Sequence, residues 1–184
     1  MTSQRIALLA LLLFPAAELG QGVAARSAAT YRGFTPGASY REFVERGRAL
    51  AHRDTLRCNT SRKTAQLMEC GVVIRDPADG AIFYLSAYVL EGKLAMVALY
   101  DSAGFGASGG GTALVDRTKR DLTRVFGRPR PIGNSGWEWK RGRHVARLNW
   151  RGRGMARWVS ITLTDNDVMN GISRYVKAAA RRTP

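Results

Sequence analysis

The chain has 184 residues, with 29 Lys or Arg against 14 Asp or Glu and a formal net charge of +15. This length suits one domain, or two small units with a common core, and excludes a second large module within the chain. The large positive excess favours polyanionic partners. Only two histidines and two cysteines are present, which indicates no metal centre, and no pattern implies a cofactor.

The N-terminus has the pattern of an export signal. Arg5 supplies a positive charge, residues 6–17 form an apolar run, and residues 23–25 are small enough for cleavage. We expect residues 1–25 to be removed, which places the mature protein in the periplasm or outside the cell. The apolar run is shorter than the roughly 20 residues of a membrane-spanning helix, so we expect no transmembrane segment in the mature chain.

Cys58 and Cys70 are the two cysteines of the chain. In an oxidising compartment such a pair forms a structural disulfide by default, and its spacing differs from the C-x-x-C of redox-active pairs. Closing a loop of this length stabilises the fold by about 3 kcal/mol in the chain-entropy model. No cysteine precedes Cys58 that could accept a lipid.

Residues 26–103 form the first predicted unit, a helix followed by an antiparallel meander. The helix covers residues 39–51, where Ser39 and Glu42 form a capping box and Phe43, Gly47 and Leu50 share one face. We expect Gly47 to mark a close packing contact. Strands are predicted at residues 56–58, 70–75, 81–90 and 94–101, with turns at residues 76–80 and 91–92.

Residues 112–184 repeat this order and add a closing helix. A helix over residues 112–126 ends at Gly127, and strands follow at residues 137–140, 143–151 and 155–164. Asp165 caps a last helix that reaches residue 180 and is expected to bury Val168, Ile172, Tyr175, Val176 and Ala179. The sequence therefore predicts an α+β fold in which two helix-plus-antiparallel-meander units place their helices on one face of a sheet.

Two short passages resemble small secreted bacterial domains. The first is FTPGASYREFVERG at residues 34–47, and the second is LTRVFGRP followed by WEW within residues 122–139. Both resemble the SmpA/OmlA type and the beta-lactamase-inhibitor-like (BLIP-like) fold. The resemblance implies helices on one face of an antiparallel sheet and a binding or assembly role without catalysis. The chain lacks the lipidated cysteine of the SmpA type, which argues against an outer-membrane anchor.

The stretch GFGASGGG at residues 104–111 lies between the two units and matches G-x-G-x-x-G. A dinucleotide site would continue to a parallel strand with an acidic residue about 20 positions on. Arg128, Pro129 and Arg130 occupy that region instead, and hairpins follow. We therefore interpret residues 104–111 as a flexible linker between the units.

The same stretch also matches G-x-S-x-G around Ser108. In that interpretation Ser108 is the nucleophile of a small secreted serine hydrolase, with Asp116 or Asp121 and His144 as partners. A nucleophile elbow holds its serine in a tight turn, whereas glycines surround Ser108, and catalysis depends on fixed geometry. The hydrolase is the alternative to a non-catalytic protein.

The strand predicted at residues 143–151 carries alternating arginines. Alternation places Arg143, Arg147 and Arg151 on one face, with Trp158 of the next strand beside them. Arginines with an aromatic neighbour suit phosphate or sugar-phosphate groups. These residues form the predicted anion-binding site; the other interpretation is an ordinary solvated sheet face. Trp137, Trp139 and Trp150 are predicted to lie in the core.

These features predict an exported, non-catalytic binding or assembly module of the cell envelope. Its expected partner is an anionic envelope component, such as lipopolysaccharide, anionic lipid or acidic polysaccharide, or else an acidic protein. Export disfavours nucleic acid as the partner. A third interpretation is a structural envelope protein whose arginine content reflects genomic base composition alone.

Overall fold

The computed structural model describes residues 29–101 and 110–181, which form three helices and eight strands. The predicted signal segment and Ser108 lie outside these residues. In chain order the elements are α1 (Tyr40–Leu50), β1 (Arg57–Thr60), β2 (Leu67–Arg75), β3 (Ile82–Leu90), β4 (Lys93–Asp101), α2 (Gly111–Phe126), β5 (Arg130–Pro131), β6 (Gly136–Arg141), β7 (His144–Arg151), β8 (Trp158–Asp165) and α3 (Asn166–Ala180).

All eight strands belong to one antiparallel sheet in the order β1-β2-β3-β4-β8-β7-β6-β5. The two meanders meet where β4 pairs with β8, with Val97 opposite Leu163 and Leu99 opposite Ile161. Helix α1 contacts β2 and β4, and α2 contacts β6, β7 and β8. The predicted α+β fold, with two helix-plus-meander units and a C-terminal helix, is confirmed.

One hydrophobic core lies between the sheet and the helices α1 and α2. Phe43 of α1 and Leu122 of α2 are buried in the same cluster as Leu85, Leu99 and Ile161 of the sheet. Alternate residues of β3 and β8 are buried on this face, and β4 between them is apolar along most of its length. Trp139 is fully buried in the core, as predicted, whereas Trp137 and Trp150 are partly buried and pack against the same cluster.

Several strand boundaries differ from the predicted ones. Strand β2 begins at Leu67, because residues before Cys70 continue the ladder with β3. The two-residue strand β5 was not predicted. Residues 155–156 lie before β8 in a turn, where the Ala156 amide donates to the Arg153 carbonyl at 3.1 Å and Met155 is 76% exposed.

The disulfide between Cys58 and Cys70 is present. The two residues lie directly opposite each other on β1 and β2. Since β1 is a four-residue edge strand, the bond joins the edge of the sheet covalently to its neighbour.

Arg32 forms a buried ion cluster on the helical side of the sheet. Its guanidinium contacts Asp76 and lies 3.1 Å from Asp79, while its carbon lies 4.8 Å from the centre of the Phe83 ring. Arg117 of α2 reaches the same Asp79 at 3.1 Å. Burial raises the pKa of Asp79, but the hydrogen bonds from Arg32 and the Ala81 amide, together with the charges of Arg32 and Arg117, outweigh it and lower that pKa. The cluster therefore joins the N-terminal segment, the β2–β3 turn and the second unit.

Helix α3 departs from its prediction. Asp165 caps it as expected, since its Oδ1 accepts from the amides of Asp167 and Val168 at 3.0 and 3.2 Å. The apolar residues expected to be buried are only partly buried, however, and Gly171 is the buried residue of the helix. Within the described ranges no helix combines the length and apolarity needed to cross a membrane.

Gly47 of α1 is buried, but its neighbours leave room for a side chain. A Cβ at Gly47 would lie 3.4 and 3.7 Å from the two methyl groups of Leu56. These are ordinary van der Waals distances, so the expected close contact at Gly47 was wrong.

We expect Gly47→Ala to raise the free energy of unfolding by up to about 1 kcal/mol, because Ala has the higher helix propensity. Urea denaturation measures the change. Gly171→Ala is the matched control in α3, where a Cβ would lie 2.6 Å from Leu90 Cδ2 and the neighbour would have to move. A Gly47→Ala variant less stable than the wild type would contradict the packing described.

Candidate anion-binding face

The sheet face opposite α1 and α2 carries exposed polar residues on β7. Arg147, Asn149 and Arg151 are exposed there, as the alternation predicted. Arg151 lies directly opposite Trp158 in the ladder with β8, so the predicted neighbourhood of these two residues is present. Arg147 and Arg151 are separated by about 13 Å, from a strand rise of about 3.3 Å per residue.

Arg143 does not share this surface. Strand β7 begins at His144, and Gly142 and Arg143 form a two-residue turn in which Gly142 has φ +60°. Arg143 Nε lies 2.8 Å from Asp165 Oδ2, and its Nη1 lies 3.9 Å from Asp167 Oδ2. Because Asp165 continues the core-facing alternation of β8, its charge draws Arg143 away from the side of Arg147.

A buried carboxylate that the sequence analysis did not single out organises the rest of the face. Glu138 of β6 lies opposite Arg147 and opposite Arg130, and its side chain is 4% exposed. Arg147 Nε donates to Glu138 Oε2 at 2.8 Å, and Arg130 Nη2 donates to Oε1 at 2.8 Å. Lys140 Nζ lies 3.5 Å from Oε1. We call these four residues the Glu138 cluster.

The Glu138 cluster has three cations and one carboxylate, which leaves two positive charges in excess. Burial raises the pKa of Glu138, but the hydrogen bonds from Arg147 and Arg130, together with the charges of Arg147 and Lys140, outweigh it, so the pKa lies below its usual value. Glu138 is therefore ionised at neutral pH. The cations face solvent: Arg130, Lys140 and Arg147 have side chains 69%, 63% and 52% exposed.

Trp158 extends the face beside Arg151. It lines a cleft of about 370 Å³ together with Tyr100, Asn149 and Arg151. The indole Nε1 is buried and has no hydrogen-bond partner among residues 29–101 and 110–181. Tyr100 is 44% exposed, so two aromatic rings border the cleft. Among the described residues, the side chain of Arg151 forms neither an ion pair nor a hydrogen bond, while its backbone belongs to the ladder with β8.

Glu138 could have been found from its setting in the sequence WEWKR. Trp137 and Trp139 face the core, and alternation places the intervening glutamate on the opposite face with Lys140. The pairing with Arg130 and Arg147 required the strand register, which the sequence does not define.

His144, the proposed partner of Ser108, interacts with a different acid. Its Nε2 lies 3.4 Å from Asp165 Oδ2, and within the described ranges it has no contact with Asp116 or Asp121. Gly110 and Gly111, the first described residues after Ser108, lie at the other end of the strands: the Gly110 amide donates to Asp101 at 2.6 Å, and the Gly111 amide donates to the Arg157 carbonyl. His144 and Arg151 are the two ends of β7, about 23 Å apart.

Ser108 itself lies outside the described residues, as does most of the predicted linker at residues 104–111. Its last two glycines belong to α2, which is capped by Gly110 and begins at Gly111. The hinge and the serine nucleophile both stay predictions.

No protein-family model, curated protein or solved structure matches this chain. The resemblance to SmpA/OmlA-type and BLIP-like domains therefore stays an expectation. The described residues contain no group of three or more His, Cys, Asp or Glu placed to hold a metal ion.

We expect Glu138→Gln to lower the free energy of unfolding by on the order of 1–2 kcal/mol at neutral pH, because it removes charge-assisted hydrogen bonds whose cations are partly screened by solvent. Since folding lowers the pKa of Glu138, the advantage of the wild type is complete above the unfolded value, about 4.3. It declines as the pH falls through the lower folded value.

Urea denaturation from neutral to acidic pH tests this prediction. Glu45→Gln is the control, because Glu45 pairs with Arg41 on the exposed face of α1, and this variant should change stability little at any pH. A Glu138→Gln effect that is absent at neutral pH, or that persists unchanged in acid, would contradict the cluster.

Proposed function

We propose that the protein is an exported, non-catalytic binding or assembly module that recognises a polyanionic component of the cell envelope. The binding surface consists of the Glu138 cluster together with Arg151 and Trp158; we call it the anion-binding face. The observation that carries the proposal is one buried carboxylate that holds three exposed cations on an open sheet face.

The hydrogen bonds of Glu138 leave most of the donors of its cations available. A guanidinium has five N–H donors, and Glu138 uses Nε of Arg147 and one terminal nitrogen of Arg130. The side chains are thereby oriented before a ligand arrives, which lowers the conformational entropy lost on binding. The remaining donors suit the oxygens of phosphate or carboxylate groups.

The layout of the face favours a ligand with several separated charges. The Glu138 cluster and Arg151 form two positive centres about 13 Å apart along β7, with Asn149 between them. Lipopolysaccharide, anionic lipid surfaces and acidic polysaccharides carry repeated charges that could reach both centres. The net charge of +15 would attract such partners from a distance.

The predicted location accords with the disulfide. Disulfides persist in oxidising compartments such as the periplasm and the extracellular space, and Cys58–Cys70 is such a bond. We therefore place the proposed function in the periplasm or outside the cell.

The double variant Arg147→Gln and Arg151→Gln tests the proposal. Tryptophan fluorescence of the mature protein is titrated with lipopolysaccharide, phosphatidylglycerol vesicles and polygalacturonate at low and high salt. We expect saturable binding by the wild type that weakens with salt, and a loss of about tenfold or more in the double variant, which corresponds to at least about 1.4 kcal/mol.

The matched control is Arg120→Gln and Arg124→Gln on α2, which removes the same net charge from the helical side of the protein. This control should bind nearly as tightly as the wild type. Equal losses in both double variants would reduce the binding to overall charge, and no binding to any of the three polyanions would leave an acidic protein as the partner. Either result overturns the proposal.

A further inference from the structure

An open cavity lies beside α3. It has a volume of about 620 Å³, within the usual range of about 300–1,000 Å³ for small-molecule sites. Its walls come from the β3–β4 turn on one side and from α3 on the other. We call it the α3 groove; its main lining residues are Leu90, Lys93, Val168, Arg174, Tyr175 and Ala178.

The groove has apolar walls because α3 does not pack closely along its length. The helix approaches the sheet at Gly171, where a Cβ would lie 2.6 Å from Leu90 Cδ2. On either side of Gly171, Val168 and Tyr175 stay partly exposed. An amphipathic helix normally buries its apolar face, so the groove presents apolar surface that the fold itself leaves uncovered.

A hydrogen bond between Tyr175 and Glu91 joins α3 to the β3–β4 turn. The Tyr175 hydroxyl donates to Glu91 Oε1, and Glu91 is the first residue of the two-residue β3–β4 turn, with φ +48°. Asn, Asp and Gly are the usual residues at such a position, and a glutamate there is strained. The residue whose carboxylate fastens α3 thus keeps an unfavourable backbone conformation.

The charges at the rim are unequally paired. Glu91 accepts from Tyr175, and Asp167 and Asp165 both face Arg143. Lys93 and Arg174 form no ion pair among the described residues, and both side chains are exposed. Three cations, Lys93, Arg143 and Arg174, and two carboxylates, Glu91 and Asp167, line the groove, so one positive charge is in excess. The groove therefore combines apolar surface with two cations, Lys93 and Arg174, that are not committed to an ion pair within the described ranges.

We propose that the α3 groove binds a single-chain amphiphile with a phosphate head group. The alkyl chain lies over Leu90, Val168 and Ala178, and the phosphate is held by Lys93 and Arg174. Phosphate suits this pair because it accepts several charge-assisted hydrogen bonds at once. The groove shares no residue with the anion-binding face, so the two proposals can be tested independently.

Isothermal titration calorimetry of the mature protein with decyl phosphate, below its micelle concentration, tests the proposal. We expect binding of one decyl phosphate per chain, and binding at least tenfold weaker for decanol and for inorganic phosphate, each of which lacks one half of the recognised structure. Lys93→Gln with Arg174→Gln should weaken decyl phosphate at least tenfold and leave decanol unchanged.

Two further variants separate the groove from general effects. Ala178→Phe adds bulk at an exposed lining position, so it should fold normally by circular dichroism and lose both decyl phosphate and decanol. Lys177→Gln with Arg181→Gln removes the same net charge from exposed positions of the same C-terminal segment outside the groove, and it should bind like the wild type.

Arg147→Gln with Arg151→Gln should also leave decyl phosphate binding unchanged, which keeps this test distinct from that of the anion-binding face. The inference is overturned if the wild type does not bind decyl phosphate, if decanol and decyl phosphate bind equally, or if the Lys93 and Arg174 variant and its Lys177 and Arg181 control lose the same affinity.

Discussion

The pairing of β4 with β8 is the constraint on which the rest of the structure depends. Each meander alone would leave one of these strands as a bare edge, with unpaired backbone groups and apolar side chains. Joined through pairs such as Leu99 and Ile161, they form one sheet with a single core against α1 and α2. The same pairing brings the end of β8 beside the β3–β4 turn, which is where α3 begins and where its groove forms. It also places β7 and β6, which carry most of the Glu138 cluster, next to β8 in the same sheet.

In a chain with so many cations, a few buried carboxylates determine where those cations lie. Asp79 holds Arg32 and Arg117, Glu138 holds Arg130, Lys140 and Arg147, and Asp165 holds Arg143. A surface arginine is otherwise mobile and contributes little through exposed ion pairs. Around Glu138 the cations outnumber the carboxylate and face solvent. The buried carboxylate therefore fixes the position of a positively charged surface. Around Asp79 the arginines instead link the two units, so there the ion pairs stabilise the fold.

Local patterns predicted much of this architecture. The Ser39 capping box, the turn at Glu91 and Gly92, the disulfide and the alternation of β7 all depend on neighbours in the sequence, and the structure contains each of them. What depends on distant residues could not be predicted. The position of Arg143 depends on its ion pair with Asp165. The partners of Glu138 depend on the register of β5, β6 and β7. The position of α3 depends on the hydrogen bond between Tyr175 and Glu91, which are far apart in the sequence.

The central claim is that polyanions bind at the Glu138 cluster and Arg151, and not wherever arginine is exposed. The most direct measurement is a map of amide chemical-shift changes in the isotope-labelled mature protein as a short acidic oligosaccharide is added. The account predicts changes concentrated in β6, β7 and the start of β8, saturating together, with α1 nearly unaffected. Shifts of similar size at the exposed arginines of α1 and α2, such as Arg48 and Arg120, would show that net charge alone attracts the ligand and would contradict the account.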